Sequence, residues 1–298
     1  MLQHLIETAL RQTMTRLVRP ALHPAIPVSV QRTLIRQAYR SSVPPRDSRF
    51  QTGTLAGLSV IRSSFGKVTR GAVLYLHGGG YIIGSATTHK GLTGHLAKAT
   101  GCIVVTPDYR LAPEHPFPAA LDDAEAAWRA LIDDEGFTPG QIAIAGDSAG
   151  GGLAIALAMR LRDSNQPLPA SITIFSPWTD LTQKDLYSPE CEPVLQAHWT
   201  AKAAKLYAAR ESLSHPLISP VFGNFEGLPP LLIQVGSQEI LLNDSERLAK
   251  AARAAGVDTQ LEVYNGLWHV FQVHSGQLSR ATAAIKAAGK HIKTHLED

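Results

Sequence analysis

Two cysteines are few for a chain of 298 residues, and Cys102 and Cys191 stand far apart. That scarcity excludes a disulfide-stapled scaffold and fits a reducing compartment. Charge is sparse too. Asp, Glu, Lys and Arg make up 18% of the chain, and the net charge of +3 gives no field for nucleic acid or for an acidic partner. No apolar run reaches the roughly 18–20 residues that span a bilayer. The start, MLQHLIETALRQTMTRLVRP, lacks the charged-then-apolar layout of a secretory leader. The twelve histidines fall into no metal-ligand cluster of the H-E-x-x-H kind. The expectation is a cytoplasmic protein with no metal, no organic cofactor, no nucleic-acid partner and no stable membrane insertion.

What is present describes an ordinary globular chain, with 44% apolar residues and ample length for a buried core. Short apolar runs at 71–78, 102–109, 142–148, 170–177, 231–237 and 259–266 read as strands. Helical patterns fall near 87–100, 117–134, 149–163, 244–255 and 277–296. Nearly continuous apolar strands separated by helices predict an α/β fold, a mostly parallel sheet covered on both faces. Chemistry then belongs beyond the carboxyl ends of the strands. No segment stands out as an exposed edge strand. Residues 1–45 differ from the rest: six arginines accompany one acid, Glu7, and apolar residues recur at helical spacing from Leu2 to Met14. An organelle transit peptide has that composition. A helical flap lying on the main domain is the preferred reading. A second helical stretch, VLQAHWTAKAAKLYAAR, interrupts the later half.

The densest signal is AGDSAGGGLAIA at 145–156. Ser148 ends one strand and opens one helix, a sharp turn that forces it into a strained backbone conformation. Gly146 and Gly150, two residues to either side, must then be small. Such a turn lifts the hydroxyl clear of the sheet, with the Ala149 amide beside it at a helix N-terminus. Neither G-x-x-x-x-G-K-[ST] nor G-x-G-x-x-G follows this strand, which argues against a phosphate or dinucleotide loop. A serine hydroxyl needs a base and an orienting acid. His269, in the loop LWHVF after the last strand, is the best-placed base. The acid belongs after LLIQVG: Glu239 lies where strand gives way to loop, while Asp244 looks engaged in opening a helix, so Glu239 is favoured. HGGG at 77–80 can turn backbone amides toward a small oxygen. Gly78, Gly79 and Ala149 are the expected oxyanion donors.

HGGGYIIGS, DYRLAPEHPFPAALDD, GDSAGG, SPWTDL and LWHVF, in that order, resemble the hormone-sensitive-lipase-like branch of the α/β-hydrolases, which includes bacterial family IV esterases. The resemblance spans about residues 50–275. It implies an α/β-hydrolase catalytic domain (46–298) with an eight-stranded, mostly parallel core. It also implies a helical cap built from residues 1–45 and an insertion at about 185–215. It implies that Ser148 is the nucleophile, that His77 and Gly80 hold the glycine loop, and that Asp147 supports it. Asp108, Arg110, Glu114 and His115 resemble a buried supporting network. Where the family commonly shows D-P-L-x-D, this chain has EILLND, with Glu239 at the catalytic position. Trp268, Leu267 and Tyr81 are candidate pocket residues. The implied activity is a carboxylesterase acting on short- to medium-chain acyl esters of small molecules. Amidase, deacetylase or lactone hydrolase activity on the same residues is the nearer alternative, and a non-catalytic small-ligand receptor the more distant one. A homodimer through a sheet edge occurs in the family.

Overall fold

A computed structural model describes residues 2–68 and 71–297. The chain opens with α1 (Leu2–Thr13), which runs through a π-turn into α2 (Arg19–Ala21), and then forms α3 (Val28–Ala38). A hairpin follows, β1 (Ser48–Leu55) and β2 (Leu58–Phe65). Strands and helices then alternate: β3 (Ala72–Leu76), α4 (Lys90–Thr100), β4 (Ile103–Pro107), α5 (Ala119–Asp133), β5 (Ile142–Asp147), α6 (Ala149–Asp163) and β6 (Ile172–Phe175). After α7 (Ala197–Ala208) the alternation resumes with β7 (Leu231–Gly236), α8 (Leu242–Ala254), β8 (Thr259–Tyr264) and α9 (Ser279–His295).

All eight strands form one sheet in the order β1-β2-β4-β3-β5-β6-β7-β8. β2 runs antiparallel to β1 and β4, and every other pairing is parallel. This is the α/β-hydrolase architecture expected from the alternation. The central strands β3, β5, β6 and β7 are buried along their whole length, which explains their unbroken apolar character. Apolar side chains of α5, α6 and α8 pack in one core cluster. Leu92 and Leu96 of α4 and Ile285 and Ile292 of α9 pack in a second.

Two departures from the sequence reading concern the edges of the sheet. Residue patterning did not single out β1 or β2, because β1 is mostly exposed and carries polar residues on both faces. The edge strands are β1 and β8, and both expose part of their length.

Register explains the location of the site. The chain leaves β3 for β4 on one side and returns to β5 on the other, so the loops after β3 and β5 diverge and leave a crevice. Leu76 pairs with Gly146, Asp147 with Phe175, Phe175 with Gln234, and Gly236 with Tyr264. One rim therefore gathers the loops that follow β3, β5, β6, β7 and β8.

Candidate active site

Ser148 occupies the one-residue joint between β5 and α6 with φ 52° and ψ −120°. A non-glycine residue holds such a conformation only when its surroundings over-determine it. Here the Ser148 N–H donates to the Phe175 carbonyl (2.8 Å), and the Ser148 carbonyl accepts from Trp178 N–H (2.9 Å). A Cβ on Gly146 would meet the carbonyls of Gly150 and Leu76, and one on Gly150 those of Leu76 and His77. Both glycines are thus demanded by backbone crowding.

His269 lies in the loop after β8, with Nε2 3.0 Å from Ser148 Oγ and Nδ1 2.8 Å from Glu239 Oε2. Glu239 is fully buried, and its other oxygen, Oε1, accepts from Gly236 N–H (2.6 Å) and Ser176 Oγ (2.8 Å). Ser176 Oγ accepts in turn from Val270 N–H (3.0 Å). One hydroxyl after β6 therefore ties the acid's loop to the histidine's loop, a role that sequence spacing did not signal. Burial pushes the His269 imidazole down in pKa, but its hydrogen bond to Glu239 and the Glu239 charge outweigh that, and its pKa is raised above the ordinary 6.5.

Asp244 sits in the first turn of α8, as its sequence position suggested, yet its carboxylate accepts from Thr179 N–H and Asp180 N–H (2.8 Å each) instead of capping the helix. It holds the SPWTDL loop. Burial pushes its carboxyl up to about 7.

The glycine loop requires one correction. Gly78 N–H donates to Asp147 Oδ1 at 3.0 Å, so it is committed and cannot serve an incoming oxygen. Among the described residues no acceptor takes the N–H of Gly79, Gly80 or Ala149. Gly79 and Gly80 adopt φ of 127° and 60° and line the cavity with Ser148. The Gly78 assignment failed because the direction of a loop amide depends on a partner 69 residues away.

That partner anchors a buried network. Asp147 accepts from Tyr75 Oη (2.7 Å) as well as Gly78, and His89 Nε2 approaches its carboxylate at 3.2–3.3 Å. Burial pushes the Asp147 carboxyl up, but the His89 charge and these hydrogen bonds bring it below the ordinary carboxylate value. For His89 the balance is mirrored: burial pulls it down, the Asp147 charge outweighs that, and its pKa rises. His77 stacks on Tyr109 with ring centroids 4.2 Å apart, and its Nδ1 is 2.9 Å from the Gly78 carbonyl. Burial, then the His89 charge, pushes His77 to about 3, so it stays neutral and holds the loop. His89 read as one more helical histidine in the sequence. Its position at the start of α4, against the cavity, was the missed signal.

A small cavity of about 40 Å³ opens beside Ser148 and His269. Its outer wall comes from the N-terminal helices through Val18, Leu22, Ile35 and Tyr39, and from the later insertion through Val194, Leu195 and Trp199. These two segments are joined to each other. Trp199 Nε1 donates to Gln31 Oε1 (2.9 Å), Gln196 Nε2 to the Arg19 carbonyl (2.7 Å), and Lys202 Nζ to the Pro24 carbonyl (2.8 Å). The expected pocket residues Trp268, Leu267 and Tyr81 do not line this cavity. Trp268 and Leu267 are fully buried. Tyr81 stacks on Tyr207 with centroids 3.7 Å apart. Trp268 packs against His274 instead, with ring centroids 5.7 Å apart, whereas Val270 on the other side of His269 does line the cavity, so adjacency alone was misleading. The Asp108–His115 network also differs from expectation. Asp108 is half-buried and accepts from Ala86 N–H (2.7 Å), but Arg110 pairs with Asp123 in a fork and the exposed Glu114 joins Arg32 of α3 at 2.7 Å, a surface tie to the N-terminal helices.

Residues 73–273 match the family model described as the alpha/beta hydrolase fold. An acetyl-hydrolase of Streptomyces hygroscopicus is 42% identical over 235 residues, covering 74% of this chain and 75% of that protein. An esterase of Acinetobacter venetianus is 36% identical over 217 residues, 72% of this chain and 71% of that one. Among solved structures, an esterase from the bacterial hormone-sensitive lipase family superposes with a TM-score of 0.89 at 35% identity, over 96% of this chain and 98% of that one. The esterase EstE5 superposes with a TM-score of 0.91 at 35% identity, over 97% and 98%. The chain belongs to the α/β-hydrolases, in their hormone-sensitive-lipase-like branch.

Proposed function

We propose that this chain is a carboxylesterase that cleaves short- to medium-chain acyl esters of small molecules through a serine acyl-enzyme. The single observation carrying the reading is the unbroken relay from Glu239 through His269 to Ser148, at 2.8 and 3.0 Å. His269 Nε2 takes the hydroxyl proton as Ser148 Oγ attacks the ester carbonyl, and Glu239 fixes the tautomer and stabilises the imidazolium. The tetrahedral oxyanion is received by the uncommitted amides of Gly79, Gly80 and Ala149, each such donor being worth about 10²–10³ in rate. His269 then protonates the departing alcohol, and water attacks the acyl-enzyme by the reverse route.

The helices 2–38 and the insertion around 185–215 act as the cap in this proposal. Their apolar side chains, packed close to the serine, favour a small molecule over an emulsified lipid. No described helix is long and apolar enough to cross a membrane. A cytoplasmic location belongs to the same proposal, supported by the low cysteine content of the chain, two in 298 residues.

Hydrolysis of p-nitrophenyl esters from acetate to palmitate tests the reading. Turnover should peak at short to medium chains and disappear in Ser148→Ala, and a serine-reactive phosphonate should label wild type at Ser148. Absence of both turnover and labelling would leave the receptor reading in its place. Faster turnover of matched amides than of esters would favour the amidase.

A further inference from the structure

Three non-glycine residues with positive φ converge on the relay: Ser148 at 52°, Ser176 at 46° and Val270 at 50°. The one-residue turn from strand to helix accounts for Ser148. Nothing of that kind accounts for the other two. Val270 is β-branched, and for such a side chain this region is a genuine outlier. Ser176 precedes Pro177, where extended backbone is the rule. Strain of this sort persists only where the surroundings hold it, and it gathers at functional sites.

What holds these two residues is mostly one side chain. Ser176 is fully buried, and its N–H donates to the Gln234 carbonyl (2.7 Å). Its Oγ accepts from Val270 N–H (3.0 Å) and lies 2.8 Å from Glu239 Oε1. The direction of the hydroxyl proton follows. The Val270 amide can only donate and an ionised carboxylate can only accept, so that proton is aimed at Glu239.

Glu239 has three side-chain torsions to fix before Oε2 faces His269 Nδ1 at 2.8 Å. Its other oxygen is gripped by Gly236 N–H (2.6 Å), three residues away on the same loop, and by Ser176 from a different loop. Without Ser176, the grip on Oε1 comes from the acid's own loop alone, and the carboxylate can swing about that single bond. The same hydroxyl holds the amide next to His269. Both ends of the Glu239–His269 hydrogen bond are therefore referenced to one atom, Ser176 Oγ. Ser176 does not line the cavity at Ser148, so it meets no substrate.

We propose that Ser176 is a positioning residue of the relay, whose hydroxyl aligns the Glu239 carboxylate with the His269 imidazole. The left-handed backbone at 176 and 270 is kept because it brings that hydroxyl between the two loops. The inference rests on the esterase reading above. A merely structural tie would loosen the fold without acting through Glu239.

A double-mutant cycle on p-nitrophenyl butyrate separates the two roles, with urea midpoints showing that each variant is folded in the assay. Ser176→Ala should lower kcat by about ten- to a hundredfold with KM within about threefold, the scale of a misaligned catalytic group. In a Glu239→Gln background the bond being aligned is already lost, so the same substitution should cost at least about fivefold less than it does in wild type. Ser176→Cys, close in size and a weaker donor, should fall between serine and alanine, and it carries the cycle if the alanine variant does not fold. A kcat within about twofold of wild type in Ser176→Ala, or a loss of the same size in the Glu239→Gln background, overturns the assignment. Wild type that hydrolyses no ester overturns the esterase reading itself, a separate result.

Discussion

The floor and the cover of the site are held in different ways. In the floor, Ser148, Glu239 and Ser176 sit at strand ends, buried, and each is fixed by hydrogen bonds to backbone or to one another. In the cover, α1 has no fully buried residue, Leu2, Leu5 and Leu17 face outward, and the N-terminal and inserted segments meet through a thin apolar seam of Val18, Leu22, Ile35, Leu195 and Trp199 and a few long polar side chains. Strand ends paired in register over a buried sheet leave little freedom, which is what a proton relay needs. Helices with one exposed face and few buried contacts open more readily than central strands. The comparison predicts that damage to the floor lowers kcat, whereas damage to the cover raises KM.

The largest expected effect separates two carboxylates within the floor. Glu239→Gln should lower kcat by about 10³–10⁴, because the imidazole loses the acceptor that fixes its tautomer. Asp244→Asn should leave kcat within about tenfold, since an amide oxygen can still accept from Thr179 and Asp180. Its signature is in stability. The folded-state pKa of Asp244, pushed up by burial to about 7 against an ordinary 3.8, means the folded protein holds that proton more tightly. Wild-type stability should therefore fall as pH climbs from about 4 to about 7, and the Asn variant should lack that slope in urea titrations. If Asp244→Asn abolishes turnover and Glu239→Gln spares it, the relay has been drawn through the wrong acid.

How far the sequence reveals this floor depends on how local each cause is. The turn at Ser148 was legible because strand, nucleophile and helix are contiguous and two glycines flank it. Glu239 and His269 were legible because each opens the loop after a strongly apolar or alternating strand. The status of the Gly78 amide was not, since Asp147, across the β3–β5 pairing, decides it. Nor was His89, whose helical setting hid a buried pairing with Asp147. β1 escaped notice because an exposed edge strand has no apolar face to alternate. The cover showed itself only as two helical stretches outside the α/β rhythm. Its inward face at Trp199 could not be told from its outward one without the partner helix.

A mid-sized effect should come from cutting the cover's central tie. Gln31 is fully buried, donates through Nε2 to the His23 and Ile26 carbonyls and accepts from Trp199 Nε1. Gln31→Leu fills similar space but leaves the Trp199 Nε1 and the Ile26 carbonyl unpaired, while the His23 carbonyl keeps the Ile26 N–H (3.0 Å), a local cost of about 1–3 kcal/mol. The expected outcome for p-nitrophenyl butyrate is a KM raised about three- to thirtyfold with kcat within about threefold. A fall in kcat of more than about a hundredfold at unchanged KM would mean that the cover holds the chemistry, and the division drawn here would fail.

The smallest effect tests where the two regions touch. Glu192 belongs to the insertion, yet its carboxylate accepts from Val194 N–H, Leu195 N–H and, on the floor side, Ile240 N–H beside Glu239. Its charge also helps raise the His269 pKa, behind the hydrogen bond and charge of Glu239. Base catalysis needs the neutral imidazole, so kcat/KM should climb with pH through a midpoint above 6.5. Glu192→Gln removes one negative charge that favours the imidazolium, so the midpoint should move to lower pH while the plateau at alkaline pH changes little. Because Glu239 dominates and remains, the displacement should be smaller than the one Glu239→Gln produces in its residual activity. A midpoint unmoved by Glu192→Gln would make the cover electrically silent toward the relay, and the contrast between the two regions would then be sharper than the distances imply.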